Sequence, residues 1–267
     1  MPVDHYENFP VASLLLPAAQ RGAVAAIYRF ARNADDFADE GERRPEERLA
    51  LIEGYRAALR AIARGEEPAE PALRAVALLA RERGLALAPF HHLLDAFAQD
   101  VVKQRYASFE ELRAYCRRSA DPVGRLLLEL FGAATPDNLR DSDSICTALQ
   151  LVNFWQDVPL DYAKGRIYLP QDEMARCGVT ERHIAERRCD AAWLALIGLQ
   201  IGRARAMLES GAPLGRRLPG RIGLEIRATV QGGLRVLEKL AAAGCDMFRR
   251  RPVLEWYDWP LIVARAL

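Results

Sequence analysis

The chain is poor in lysine, with only Lys103, Lys164 and Lys239 against a large excess of arginine, and its charges nearly cancel at a net +1. It carries neither a strong global field nor a basic stripe interleaved with aromatics, which argues against nucleic acid as a partner. Cysteine is sparse and scattered: Cys116, Cys146, Cys177, Cys189 and Cys245 form no CxxC pair and no Cys/His spacing suited to zinc. That pattern predicts a reduced, cytoplasmic chain. No apolar run approaches the roughly 20 residues that span a bilayer. The start, Met1-Pro-Val-Asp-His-Tyr-Glu-Asn, carries acidic residues where a secretory signal needs a basic region and an apolar core. Any membrane contact is therefore expected to be peripheral, at the inner membrane face. Repeats, low-complexity tracts and long polar linkers are missing as well.

What is present is helical periodicity. Of 267 residues, 51% are hydrophobic, enough for one large core, and one domain over 1–267 is expected. Apolar residues recur at helical spacing almost everywhere, whereas alternating β-branched runs are hard to find, so the fold class is all-α. The spacing predicts helices over 17–39, 45–64, 70–83, 88–103, 108–119, 122–134, 141–158, 180–186, 189–210, 219–243 and 259–266. Gly41, the Gly65–Pro71 stretch, Gly84, Pro122, Pro136 and Gly211–Pro213 punctuate them.

Two of these helices carry acidic stripes. In Tyr28-Arg-Phe-Ala-Arg32-Asn-Ala-Asp35-Asp36-Phe-Ala-Asp39, the turn of about 100° per residue puts Tyr28, Arg32, Asp35 and Asp39 on one face. Like charges four residues apart, close to a helix C-terminus, repel one another and oppose the macrodipole, so something positive should sit there. A solvated acidic helix end is the plainer alternative. The second stripe, Gln150, Asn153, Asp157 and Asp161, lies among apolar and aromatic neighbours in a segment running on through Lys164 and Arg166 to Tyr168 and Pro170. Internal salt bridges at a helix terminus would also account for it. Buried carboxylates are costly unless paired or bound to metal, so two such stripes in one chain are expected to face each other across a cleft.

Magnesium, with manganese as a substitute, fits these carboxylates, because it is hard and is usually held by one or two carboxylates plus substrate phosphates. Asp35, Asp39, Asp157 and Asp161 are the expected metal ligands, and Asp36 completes the acidic set. Arg32 and Arg166, with Lys164, would stabilise a departing diphosphate by fixed positive charge. The carbocation left behind needs a dry apolar pocket with aromatic faces.

At these residues the sequence resembles the squalene/phytoene synthase family. The likeness extends over nearly the whole chain through His5-Tyr-Glu-Asn-Phe9, Tyr28 to Gly41, Tyr115-Cys-Arg-Arg-Ser-Ala-Asp-Pro-Val-Gly124 and Asn153 to Pro170. It implies the isoprenoid synthase fold: a single-domain helical bundle with a central apolar cavity. It further implies that Asp35, Asp36, Asp39, Asp157 and Asp161 are the catalytic acids, and that Arg32, Asn153, Arg166, Lys164 and His5 bind diphosphate. Phe9, Tyr28, Tyr115, Val123, Gly124, Gln150 and Tyr168 match pocket positions. Asn153-Phe-Trp-Gln-Asp157, Ser119-Ala-Asp-Pro-Val-Gly124 and Arg251-Pro-Val-Leu-Glu-Trp-Tyr-Asp-Trp-Pro260 are most similar to the bacterial hydroxysqualene synthase branch of hopanoid biosynthesis. That branch ionises presqualene diphosphate and quenches the rearranged cation with water, so no NADPH is expected. It also makes companion enzymes of the squalene pathway candidate partners. A head-to-head coupling enzyme making presqualene diphosphate, dehydrosqualene or phytoene is the alternative on the same fold. A non-catalytic assembly factor is another, weakened by the presence of all five aspartates.

Four local features carry further expectations. Gln156 stands where coupling enzymes commonly have arginine beside the second motif, which implies a weaker grip on phosphate and a pocket for one diphosphate. Pro159 removes a backbone donor and should bias Val158 away from helix, throwing Asp161 off ideal spacing. The Asp121-Pro122 step predicts a helix break, either an ordinary junction or free backbone groups that position a capturing water. The segment from Pro252 to Arg265 either packs on the bundle or lies against lipid, with Arg249–Arg251 meeting anionic headgroups and the tryptophans at the boundary.

Overall fold

A computed structural model describes residues 17–267. Its helices are α1 (Ala18–Asp39), α2 (Pro45–Ala63), α3 (Pro71–Arg83), α4 (Ala88–Val102), α5 (Phe109–Ser119), α6 (Asp121–Leu130) and α7 (Pro136–Ala163). They continue as α8 (Gln171–Arg176), α9 (Glu181–Ala185), α10 (Ala191–Gly211), α11 (Leu214–Arg217), α12 (Gly220–Ala242) and α13 (Trp259–Ala266), the last preceded by a 3-10 turn at Trp256–Asp258. There is no β-strand among the described residues, only an isolated bridge between Arg105 and Ile167. The all-α expectation holds.

Local chemistry sets the ends. Pro45, Pro71 and Pro136 stand at first helical positions, where a missing N–H costs nothing. The Glu70 side chain accepts from Leu73 N at 2.7 Å and Thr135 Oγ1 from Asn138 N at 3.3 Å, each satisfying a donor the helix leaves open. Gly84, at φ +66°, closes α3 in the left-handed region that side chains avoid.

Two apolar clusters fill the bundle. One joins α1 to α4 and the near face of α6, with Ile27, Phe30, Leu59 and Phe90 fully buried. The other gathers α5, α7, α10 and α12 around Trp155 and Trp193, and Ala96 and Tyr106 join it from α4 and the chain beyond it. Each fully buried large side chain contributes about 1.5–3 kcal/mol, so the clusters, joined by α4 and α6, which contribute to both, hold the two acidic helices in fixed relation.

Several boundaries differ from expectation. Helix α7 begins at Pro136 instead of 141, because Thr135 caps it and the proline read as a break is its first residue. It also runs through Pro159 to Ala163, so Val158 is helical and Asp157 and Asp161 keep their spacing. Tertiary packing outweighs the lost hydrogen bond: Val158 is buried, and Lys164 N and Arg166 N both return to the Asp161 carbonyl. Helix α6 stops at Leu130, four residues early, where Gly132 turns at φ +66°. Helices α8 and α11 are too short for periodicity to reveal.

Candidate active site

The expected cleft is there. A cavity of about 400 Å³ opens among α1, α4, α5, α6 and α7, lined at its mouth by Asp35 and Asp39 on one side and Asp157 and Asp161 on the other. Both stripes face it, since Tyr28 and Arg32 line it from α1, and Gln150 and Asn153 from α7.

Cations join the two sides. Arg166 Nη2 donates to Asp39 Oδ1 at 2.5 Å and Lys164 Nζ to Asp39 Oδ2 at 3.3 Å, so the turn after α7 is tied to the end of α1. Burial works to raise the Asp39 pKa, but the Arg166 bond and charge, with Lys164, outweigh it and hold the carboxyl below its ordinary range. Asp161 is treated the opposite way: burial and then the neighbouring Asp157 charge push it up to about 7, against the pull of Arg166 and Lys164. Arg32 pairs with Asp35 at 3.2 Å and with Asp36 at 2.9 Å.

Behind the mouth the wall turns aromatic. Phe154 and Tyr168 stack face to face at 3.8 Å, Tyr115 leans on both at about 6 Å, and Tyr106 stacks on Tyr168 from outside the cavity. The Tyr115 hydroxyl donates to Asp100 Oδ2 at 2.8 Å. Asp100 also lines the cavity, and burial pushes its carboxyl up to about 7 despite the Tyr115 bond and the Arg166 charge.

Most expected residues converge on this cavity, and three expectations change. Gly124 does not line it: an added Cβ would come within 2.2 Å of Ser142 Oγ and 2.7 Å of Cys146 Sγ, so glycine lets α6 approach α7. Asp36 points past the cavity, to Arg32. Gln156 is buried away from it and donates to the Pro252 carbonyl, so its identity does not by itself reduce positive charge at the mouth. Asp121 also lies outside the lining, accepting from Thr147 Oγ1 at 2.7 Å, and the Asp-Pro step is a junction between α5 and α6. Val123 does line the cavity; His5 and Phe9 lie outside the described residues.

Sequence reasoning did not single out Arg251, Asp100 or the ring of Phe154. Arg251 lines the cavity and grips both oxygens of Asp157 with one edge of its guanidinium, Nε to Oδ1 at 2.5 Å and Nη2 to Oδ2 at 2.9 Å. Asp100 was more legible than Arg251, as a carboxylate in register with the buried stripe Leu93, Ala96 and Phe97 of α4.

The residues fit a magnesium-like ion. No three His, Cys, Asp or Glu side chains among the described residues form a ready-made cage. Instead two facing pairs of hard oxygen donors border one space, the arrangement suited to an ion that takes its remaining ligands from phosphate and water.

Comparison with known proteins assigns the architecture. The squalene/phytoene synthase sequence profile matches residues 3–258. The chain belongs to the squalene/phytoene synthase family. It is 36% identical over 223 residues to the hydroxysqualene synthase of Rhodopseudomonas palustris, covering 82% of this chain and 74% of that one. Against the hydroxysqualene synthase of Sinorhizobium fredii it is 34% identical over 209 residues, covering 78% and 70%. The crystal structure of squalene synthase HpnC from Alicyclobacillus acidocaldarius superposes with a TM-score of 0.83 at 36% identity, covering 91% of this chain and 90% of that one. Members of this family are enzymes that process prenyl diphosphates, and the helices lining the cavity form the family's all-α isoprenoid synthase fold.

Proposed function

We propose that this squalene/phytoene synthase family member is a hydroxysqualene synthase that ionises presqualene diphosphate and quenches the rearranged carbocation with water. The observation that carries the reading is a single cavity that is acidic and arginine-bordered at its mouth and aromatic within. Asp35, Asp39, Asp157 and Asp161 would hold magnesium, or manganese in its place. The ion would withdraw charge from the diphosphate and make it a better leaving group.

The chain's own residues do the rest. Arg166, Lys164 and Arg32 already sit on the mouth carboxylates and can turn their donors to phosphate oxygens, fixing the leaving group by charge-assisted hydrogen bonds. The stacked Phe154 and Tyr168 rings and the tilted Tyr115 ring present π faces to a cation formed beside them. Ile27, Leu93, Phe97 and Leu149 line the cavity with apolar surface and limit stray water.

Incubation with presqualene diphosphate and magnesium, with and without NADPH, followed by identification of the product, tests the reading. Hydroxysqualene formed equally under both conditions supports it. Squalene formed only with NADPH, or efficient turnover of farnesyl diphosphate alone, overturns it in favour of reduction or head-to-head coupling.

No described helix is long and apolar enough to cross a membrane. The C-terminal segment packs on α12, where Asp258 receives Arg235 Nε at 2.8 Å and Lys239 Nζ at 2.6 Å. Its outer side leaves Trp256 81% and Trp259 42% exposed, so a peripheral lipid contact belongs to the same proposal. Failure to pellet with anionic liposomes at low salt removes that part.

A further inference from the structure

The aromatic wall holds a polar pair that neither the diphosphate nor the metal requires. Asp100 is 7% exposed, yet it sits at the end of the buried face of α4 and lines the cavity. Its Oδ2 accepts from Tyr115, while Oδ1 is buried and has no hydrogen-bond partner among the described residues. Arg166 does not supply that partner, because its Nη2 goes to Asp39 and, at 3.2 Å, to the backbone carbonyl of Asp100. A buried acceptor left open is costly, and a site of this kind calls for a donor from something that enters the cavity.

Water has the required shape. A nucleophilic water must direct a lone pair at the electrophile, so the protein has to hold it by its hydrogens, through acceptors. Asp100 Oδ1 offers one acceptor. The Tyr115 oxygen, whose hydrogen is committed to Oδ2, offers a second beside it. Tyr115 belongs to the ring cluster where a carbocation would be stabilised, and Asp100 is bonded to its hydroxyl.

We propose that Asp100, oriented by Tyr115, holds the water that captures the carbocation and accepts its proton. The inference rests on the hydroxysqualene reading above. A water lone pair forms the new C–O bond to the cationic carbon. One O–H bond then breaks, its electrons stay on oxygen, and the proton passes to the Asp100 carboxylate. The products are a neutral alcohol and a protonated Asp100, which returns the proton to solvent as the alcohol leaves. Diphosphate departs separately, and no reductant is consumed. Burial, which raises the Asp100 pKa to about 7, makes the carboxylate a better proton acceptor than an exposed one.

The test measures alcohol formed per diphosphate released from presqualene diphosphate, for wild type, Asp100→Asn, Asp100→Leu and Tyr115→Phe, each checked for helicity and melting temperature. Asp100→Asn and Asp100→Leu are expected to lower the alcohol-to-olefin ratio by about 100-fold, the low end of acid–base contributions. The cation is then expected to lose a proton from carbon and give olefin. Tyr115→Phe removes the second acceptor and the hydroxyl that orients Asp100 but leaves the proton-accepting carboxylate, and is expected to lower the ratio less. A merely structural role would reduce total turnover and melting temperature and leave the ratio unchanged. If wild type makes the alcohol and both Asp100 variants keep its share, the Asp100 assignment is overturned while the hydroxysqualene reading stands. If wild type makes no alcohol, the hydroxysqualene reading fails first, and the assignment falls with it.

Discussion

Asp39 and Asp100 lie on either side of Arg166, and the same guanidinium serves them differently. It donates to the carboxylate of Asp39 at 2.5 Å but only to the backbone carbonyl of Asp100, at 3.2 Å. Asp39, at the mouth, is held charged; Asp100, in the wall, is pushed up to about 7 and leans on a tyrosine hydroxyl. Both are largely buried, so burial alone does not decide the state of an acid here. The difference lies in whether a cation reaches the carboxylate oxygens. One cavity can therefore bind a highly charged group at its entrance and keep a weakly basic one within.

The hardest way to break this contrast is to remove a mouth carboxylate. Asp161→Asn is expected to lower kcat/KM for diphosphate release by about 10³-fold, the scale of losing one preorganised electrostatic contact. Steady-state release assays over a magnesium titration check it, and a loss below tenfold would place Asp161 outside the machinery.

Removing the shared cation comes next. Arg166→Gln leaves a mostly buried Asp39 with only the longer contact to the exposed Lys164 and is expected to cost about 3 kcal/mol at pH 7, the low end for a broken buried pair, a fall in melting temperature of roughly 6–12 °C. The Asp39 pKa is depressed, so its contribution is present above its unfolded value and lost as pH falls through the folded one. The gap between variant and wild type should therefore begin to narrow below about pH 4 and close once the pH is below the depressed folded value. A gap that persists there assigns the loss to packing.

Asp121 sharpens the comparison from outside the cavity, as a second interior acid bonded to a hydroxyl and pushed by burial up to about 7. With a folded pKa above the unfolded value, it favours the native state at low pH, and that contribution is lost as pH rises from about 4 to about 7. Asp121→Asn should remove this slope and raise stability at pH 8 by on the order of 1–3 kcal/mol. Parallel denaturant curves at pH 4 and 8 give the answer, and equal slopes in the two proteins refute it. The smallest effect belongs to Gly124→Ala, expected to cost about 1 kcal/mol by crowding Ser142 and Cys146. Gly124 itself lies outside the lining, but Cys146, which the added methyl crowds, is part of it, so turnover should fall by no more than about fivefold, the equivalent of the same ~1 kcal/mol; a larger fall would return Gly124 to the cavity wall.

The two acidic stripes were readable because helical periodicity is local: Tyr28, Arg32, Asp35 and Asp39 share a face whatever the rest of the chain does. Their meeting was readable only as a cost argument, that stranded carboxylates need company. Arg251 was not readable, because its partner Asp157 is 94 residues away and the basic run around it suits a solvated surface equally well. Gln156 misled for the opposite reason. A position next to a motif residue looks like part of the site, yet one step along a helix is 100° of rotation, which carried it to the Pro252 carbonyl. Pro159 misled because local propensity is a weak prior once Val158 is buried in the bundle.

The mooring of the C-terminal stretch to α7 has a thermodynamic consequence. Pro252 is fixed through its backbone oxygen to Gln156, and the adjacent Arg251 through charge to Asp157. A competitor for Asp157 can dislodge only the second of these ties. The released guanidinium then stays leashed beside the helix at high effective concentration, and it recombines without the translational entropy loss a dissolved ion would suffer.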